Sequence, residues 1–230
     1  MPITPDPSYD DYLRRWTAAY EGANYKRGPA AWFLRRSHFW CEQAFGPSRR
    51  FDEVVEVGAG TGVHIDFVRH SYGRYLITDL NTSMLERVGR QRRGREGGEV
   101  VVHNEDATHL SFKDASVDRL IATHVLEHLP HPHRVLKEWA RVVRPGGVIS
   151  IVLPCDPGVA WRLGRSFGPR RSFQALGIDY DYWMAREHIN PVGNLVSFIR
   201  YYFSKVQEQW FPLRVPSTDA NLFYIAHATL

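Results

Sequence analysis

The chain alternates short apolar runs with stretches of helical periodicity. Between residues 51 and 154 the runs are FDEVVEV (51–57), YLITD (75–79), EVVVHNED (99–106), VDRLIATH (117–124) and VISIVLP (148–154). Runs this short, and apolar at nearly every position, suit strands covered on both faces. The segments between them are predicted helices. These are HIDFVRH, then TSMLERVGR capped by Asn81, then RVLKEWARVV, which ends at Arg144-Pro145-Gly146-Gly147. Strands alternating with helices predict βαβ units and a parallel sheet.

The flanks have other textures. Residues 1–50 space aromatics three to four apart (Tyr12, Trp16, Tyr20, then Trp32, Phe33, Phe39, Trp40, Phe45), predicting amphipathic helices with a break at Gly28-Pro29. Residues 155–205 are rich in Gly, Pro, Arg and aromatics and end in a predicted helix, NLVSFIRYYF. Two strand-like runs, VQEQWFPL and NLFYIAHATL, close the chain and can pair as a sheet edge. The expected organisation is a helical cap (1–50), an α/β core (51–154), a lid-forming insertion after strand five (155–205) and closing strands (206–230).

Charge narrows the partners. Lys and Arg total 29 and Asp and Glu 25, a net +4. The densest basic run, ERVGRQRRGREGGE (86–99), carries its own acids and reads as a solvated helix end and turn, so no nucleic-acid partner is expected. Two cysteines, Cys41 and Cys155, make no disulfide framework. No apolar run approaches the roughly 18–20 residues of a membrane span, and MPITPDPSYDDYLRRW does not read as a secretory signal. A cytoplasmic protein is expected, and peripheral membrane contact stays open because residues 155–190 mix arginines with aromatics. Oligomeric state is not legible.

The chemistry concentrates in Val54-Val55-Glu56-Val57-Gly58-Ala59-Gly60-Thr61-Gly62. A buried strand runs into glycines at alternate positions, an arrangement that lets a ligand approach main chain. The pattern is not the dinucleotide G-x-G-x-x-G, because Val63 holds the sixth position. Asp79, Asp106 and Thr123-His124 end the next three strands, at the sheet edge where open α/β folds bind ligands. The missing glycine side chains are expected to make room for a ligand.

The set VVEVGAGTG, Asp79, EDATHLSF, VDRLIATHVLEHL and RVVRPGGVISIVLP resembles the class I S-adenosylmethionine (SAM) dependent methyltransferases, in order and spacing, across residues 51–154. The resemblance implies a doubly wound, mostly parallel seven-stranded sheet whose last strand is antiparallel. It implies SAM as cofactor and S-adenosylhomocysteine as product. By position, Glu56 and the turn Gly58, Ala59, Gly60 and Gly62 would surround the methionine part. Asp79 would bind the ribose hydroxyls, Leu80 and Met84 would line the adenine, and Asp106 and Ala107 would meet its edge. Thr123 and His124 would flank the sulfonium. Arg144 to Gly147 match a structural turn.

The expected reaction is methyl transfer, O-methylation favoured, to a small-molecule, glycan or lipid-linked acceptor. Candidate general bases are His128, His124 and His188, and Arg162, Tyr182 and Arg186 are candidate acceptor contacts. Tyr20, Tyr25 and Arg36 are candidate cap contacts. Thr123-His124-Val125-Leu126 is unlike the tetrad of nucleobase amino methylases. Two rival classes remain open. His124-x-x-Glu127-His128 matches an inverted zinc-protease motif, which needs a continuous helix that Leu129-Pro130 leaves little room for. An NAD-dependent oxidoreductase is weakened by Val63. No metal is expected.

Overall fold

The computed structural model describes Ser8, Tyr12, Arg15 and residues 29–91, 98–167 and 169–230. Trp16, Tyr20, Tyr25, Gly28 and the centre of the 86–99 run lie outside them. Seven strands form one sheet: β1 (Arg50–Val57), β2 (Ser71–Asp79), β3 (Glu99–Asn104), β4 (Val117–Thr123), β5 (Val143–Pro154), β6 (Lys205–Phe211) and β7 (Phe223–Thr229). Their order is β3-β2-β1-β4-β5-β7-β6. The pairings from β3 to β5 are parallel, and β7 is antiparallel to both β5 and β6.

The helices are α1 (Pro29–Glu42), α2 (Thr82–Gln91), α3 (Pro132–Val142), α4 (Val159–Phe167), α5 (Pro169–Gln174), α6 (Tyr180–Glu187) and α7 (Val192–Tyr202). Strand alternation sorts the layers. Ile149, Ile151 and Leu153 of β5 share a core with Leu136 and Trp139 of α3 and Leu195 and Ile199 of α7. Val148 and Val152 point to the other face, where Leu85 and Val88 of α2 and Cys41 of α1 are packed. Thus α7, expected within the insertion, is packed in the main core. A smaller cluster of Tyr12, Phe173, Ile178, Tyr180 and Trp183 forms the centre of the segment before it.

Three local expectations change. HIDFVRH holds only a 3-10 turn, His64–Asp66, and β2 begins at Ser71 rather than Tyr75. His64 and Ile65 are pulled into the interior, and the early residues of β2 pair with Arg50, Phe51 and Glu53. Arg144-Pro145-Gly146-Gly147 is not a helix cap: α3 ends at Val142 and the extended Val143 follows. Val117 pairs with Val143 but Arg119 with Val148, so residues 144–147 bulge from β5. The bulge is held by Gly146 N donating to Leu230 O at 2.7 Å and Leu230 N donating to Gly147 O at 3.1 Å. As expected of a strand covered on both faces, all seven residues of β4 are buried, and these include Asp118 and Arg119.

Arg119 is compensated by Glu42 of α1. Its guanidinium reaches Glu42 Oε2 at 3.0 Å and Oε1 at 2.7 Å, and neither side chain is exposed. Burial alone pushes the Glu42 carboxyl up. The Arg119 charge, with hydrogen bonds from His64 and Arg119, outweighs it and holds the group well below the usual range.

Candidate active site

Gly58, Gly60 and Gly62 all adopt the left-handed region, with φ of 59°, 55° and 65°. Side chains resist this conformation, which accounts for the glycines in part. Packing accounts for more. A Cβ on Gly58 would stand 2.6 Å from Val125 Cγ2, and one on Gly62 would stand 3.1 Å from Val88 Cγ1. The expectation that a ligand fills the space left by all three is therefore corrected at Gly58 and Gly62, where the protein's own valines fill it.

The turn is clamped by Asp79. Gly60 N donates to its Oδ2 at 2.8 Å and Asn81 N to its Oδ1 at 2.8 Å. A carboxylate oxygen accepts more than one hydrogen bond, so acceptor capacity is left for ribose hydroxyls. Asn81 caps α2 as expected, its Oδ1 accepting from Ser83 N at 3.1 Å and Met84 N at 3.3 Å. Leu80 beside it is 69% exposed, an apolar wall at the sheet edge, whereas Met84 is buried in the first turn of α2. Thr61 Oγ1 is buried without a hydrogen-bond partner inside the turn. A carboxylate with spare acceptor capacity, a bare apolar side chain and an orphaned hydroxyl around one turn fit the adenosyl group of SAM.

The other cofactor candidates divide. Glu56 is buried, its Oε2 accepting from Tyr75 OH at 2.8 Å. Thr123 ends β4, buried. Asp106 Oδ1 caps the next turn, accepting from Thr108 N at 2.8 Å and Thr108 Oγ1 at 2.7 Å. Ala107 offers its carbonyl to Trp139 Nε1 at 2.9 Å. Arg36 stacks on Trp32 and Phe39, each at 5.1 Å.

After β4 the chain turns rather than forming a helix, so His124 and His128 do not share a helix face as the zinc-protease motif requires. His124, at φ 59°, places Nε2 3.0 Å from Ser37 Oγ. The Ser37 hydroxyl donates to Leu34 O, so His124 donates from Nε2 and its Nδ1 is bare. Burial, with the neighbouring His188 and His128, pushes His124 down to about 3, which makes it a poor base near neutrality.

His128 and His188 come together, their rings edge to face at 4.7 Å. His128 Nδ1 donates to Glu187 O at 2.9 Å and His188 Nδ1 donates to Asp156 Oδ2 at 2.9 Å. Burial pushes the Asp156 carboxyl up, but the hydrogen bond and charge of His188, with Arg165, bring it below its ordinary value. Burial lowers His128 to about 4, although 37% of its side chain remains open to solvent. Glu127 between the histidines is pushed up to about 8 by burial. Asn190 Nδ2 fixes this turn by donating to Leu126 O at 3.1 Å and Leu129 O at 2.8 Å.

The acceptor candidates stand on the insertion. Tyr182 and Arg186 both pack on Trp183, the arginine 4.9 Å from its ring. Arg162 is exposed on α4. Other charges there pair internally, Arg165 with Asp156 and Arg170 with Asp181, while Asp179 caps α6.

The sequence pattern pointed to none of the partners Ser37, Asn190 and Asp156. Asp156 carried the one usable signal: like Asp79 and Asp106, it lies at or within two residues of the C-terminal end of a strand.

Residues 55–151 match the family model described as a methyltransferase domain. Curated relatives include ubiquinone/menaquinone biosynthesis C-methyltransferase UbiE of Chromobacterium violaceum. It is 33% identical over 136 residues, 56% of this chain and 53% of that protein. Phosphatidylethanolamine N-methyltransferase of Cereibacter sphaeroides is 36% identical over 107 residues, 45% of this chain and 51% of that protein. The chain thus spans about half the length of these relatives. Among solved structures, Haemonchus contortus phosphoethanolamine N-methyltransferase 2 in complex with SAM has a TM-score of 0.63 at 14% identity, over 97% of this chain and 60% of that one. A complex of the Haloferax volcanii Trm112 methyltransferase activator with a methyltransferase gives 0.60 at 15% identity, over 98% and 99% of the two chains. At these identities the structural likenesses speak for the fold.

Proposed function

We propose, the chain being a member of the class I S-adenosylmethionine-dependent methyltransferases, that it methylates a hydroxyl of a small-molecule, glycan or lipid-linked acceptor. The observation that carries the choice of oxygen is the Asp156–His188 pair at 2.9 Å, beside His128. A hydroxyl must lose its proton as it is methylated, and a histidine oriented by a carboxylate is suited to take it.

When bound, SAM supplies a methyl that is already electrophilic. On this reading Gly58 to Gly62, Glu56 and Thr123 hold its methionine end. Asp79 holds the ribose, and Leu80, Met84, Asp106 and Ala107 hold the adenine. His188 donates from Nδ1 to Asp156, so its Nε2 is the atom that receives the acceptor's proton, with His128 beside it. His124 is a positioning residue, tied to Ser37 of α1. Arg162, Tyr182 and Arg186 orient the acceptor, while the aromatic cluster around Trp183 excludes water. Holding the reactants in line is worth roughly 7–11 kcal/mol of barrier.

Phosphatidylethanolamine is in the name of one relative, and the arginines of the insertion suit a phosphate-bearing acceptor. Contact with a membrane surface fits this reading, as does a cytoplasmic location. No helix among the described residues is long and apolar enough to cross a membrane. The test is a screen of hydroxylated acceptors, lipid-linked ones included, for the mass gain of one methyl. Product that disappears in His188→Ala supports oxygen as the acceptor atom. Undiminished product in that variant points to a carbon or nitrogen acceptor.

A further inference from the structure

The geometry points to a divalent transition-metal site made by Glu127, His128 and His188, with Zn2+ the ion its donors suit. Each residue offers one ligand atom, and these atoms lie within 4.8 Å of one another. Two imidazoles and a carboxylate are a donor set that zinc accepts at bonds of about 2.0–2.2 Å, with a fourth position open. Small side-chain rotations close the remaining distance.

Three features make this more than a cluster. First, both rings are already oriented. A carbonyl and a carboxylate can only accept, so His128 carries its hydrogen on Nδ1 toward Glu187 O and His188 carries its hydrogen on Nδ1 toward Asp156. In each neutral ring Nε2 is left with its lone pair. A histidine whose second nitrogen is held by a carboxylate or carbonyl is the usual arrangement around a bound metal. Second, Glu127 is 3% exposed in its side chain and its Oε2 has no hydrogen-bond partner. Its Oε1 lies 3.9 Å from His128 Nε2 and 3.9 Å from His124 Nδ1, too far for hydrogen bonds. A buried carboxylate with an orphaned oxygen is costly unless a cation or a proton meets it. Third, the ligands come from two chain segments that are locked together. Asn190 N donates to Glu127 O at 3.1 Å, and Asn190 sits two residues beyond His188. Zinc would thus tie the turn after β4 to the end of α6.

The consequence for catalysis rests on the proposed function. The lone pair that takes the acceptor's proton is the one that would bind the ion. Zinc occupancy and base catalysis then exclude each other, and zinc inhibits. The binding itself stands apart from that reading.

The test is calorimetric titration of the chelator-treated full chain with Zn2+ alone. The expected result is one ion per chain, with His188→Ala and Glu127→Gln each weakening binding at least about tenfold and Asp156→Asn by about 10–100-fold. His133→Ala, at the surface His131–His133 pair, leaves it unchanged. S-adenosylhomocysteine binding in the same variants reports that they are folded. No zinc uptake, or uptake lost in His133→Ala and kept in His188→Ala, overturns the site. Methyl transfer by the zinc-free protein judges the proposed function separately.

Discussion

Asp156 Oδ2 and His188 Nδ1 meet at 2.9 Å, joining a residue two positions beyond β5 to the one that closes α6. If His188 receives the acceptor's proton, His188→Ala lowers kcat for a hydroxyl acceptor by about 10²–10⁴-fold. Asp156→Asn lowers it by less, because the ring remains. The affinity for S-adenosylhomocysteine changes in neither. Steady-state kinetics on the acceptor found by the mass screen check this, and an unchanged kcat in His188→Ala contradicts it.

The Glu42–Arg119 pair joins α1 to the middle of the sheet. Glu42→Gln leaves Arg119 charged and buried without its carboxylate, and the expected loss is about 3–5 kcal/mol of stability in urea unfolding. A loss below about 1 kcal/mol would show that water or another group takes over.

His227 gives the pair a pH signature. Arg119 donates to Ser150 Oγ at 3.2 and 3.1 Å, so the Ser150 hydroxyl donates to His227 Nδ1 at 3.0 Å and the ring is neutral. Burial, then the Arg119 charge, lowers it to about 3. A histidine with a folded pKa below its unfolded value of about 6.5 stabilises fully above that pH, and its contribution falls as pH drops toward the folded value. The destabilisation caused by His227→Gln is therefore expected to shrink by about 2 kcal/mol between pH 7.5 and pH 5. Urea unfolding of both proteins at the two pH values measures it. A constant difference contradicts the neutral ring.

What the sequence made legible was local. The glycine turn, Asp79 and the Asn81 cap lie within 24 consecutive residues, and each is signalled by the chemistry of one or two side chains. Strands were legible because burial on both faces leaves few polar positions. Pairings across the fold were not. Glu42 and Arg119 are 77 residues apart, and nothing near VDRLIATH announces that its arginine finds a carboxylate on α1. His188 and Asp156 are 32 apart and meet only because the insertion folds back. HIDFVRH has helical spacing, yet the pull of His64 toward Glu42, 2.8 Å away, competes with helix formation there.

Gly58 separates backbone from packing. Gly58→Ala places a side chain at φ 59° and against Val125, and is expected to cost about 1–3 kcal/mol. Adding Val125→Ala relieves the crowding but not the backbone conformation, so it restores only part of the binding of S-adenosylhomocysteine. Full restoration would mean that the positive φ is unimportant.

The turn after β1, clamped by Asp79, is expected to hold an adenosyl group. Calorimetric titration of the wild-type chain with S-adenosylhomocysteine measures this. One site is expected, with a dissociation constant on the order of micromolar and a loss of at least about tenfold in Asp79→Ala. No binding at millimolar ligand, or equal binding by Asp79→Ala, would contradict it.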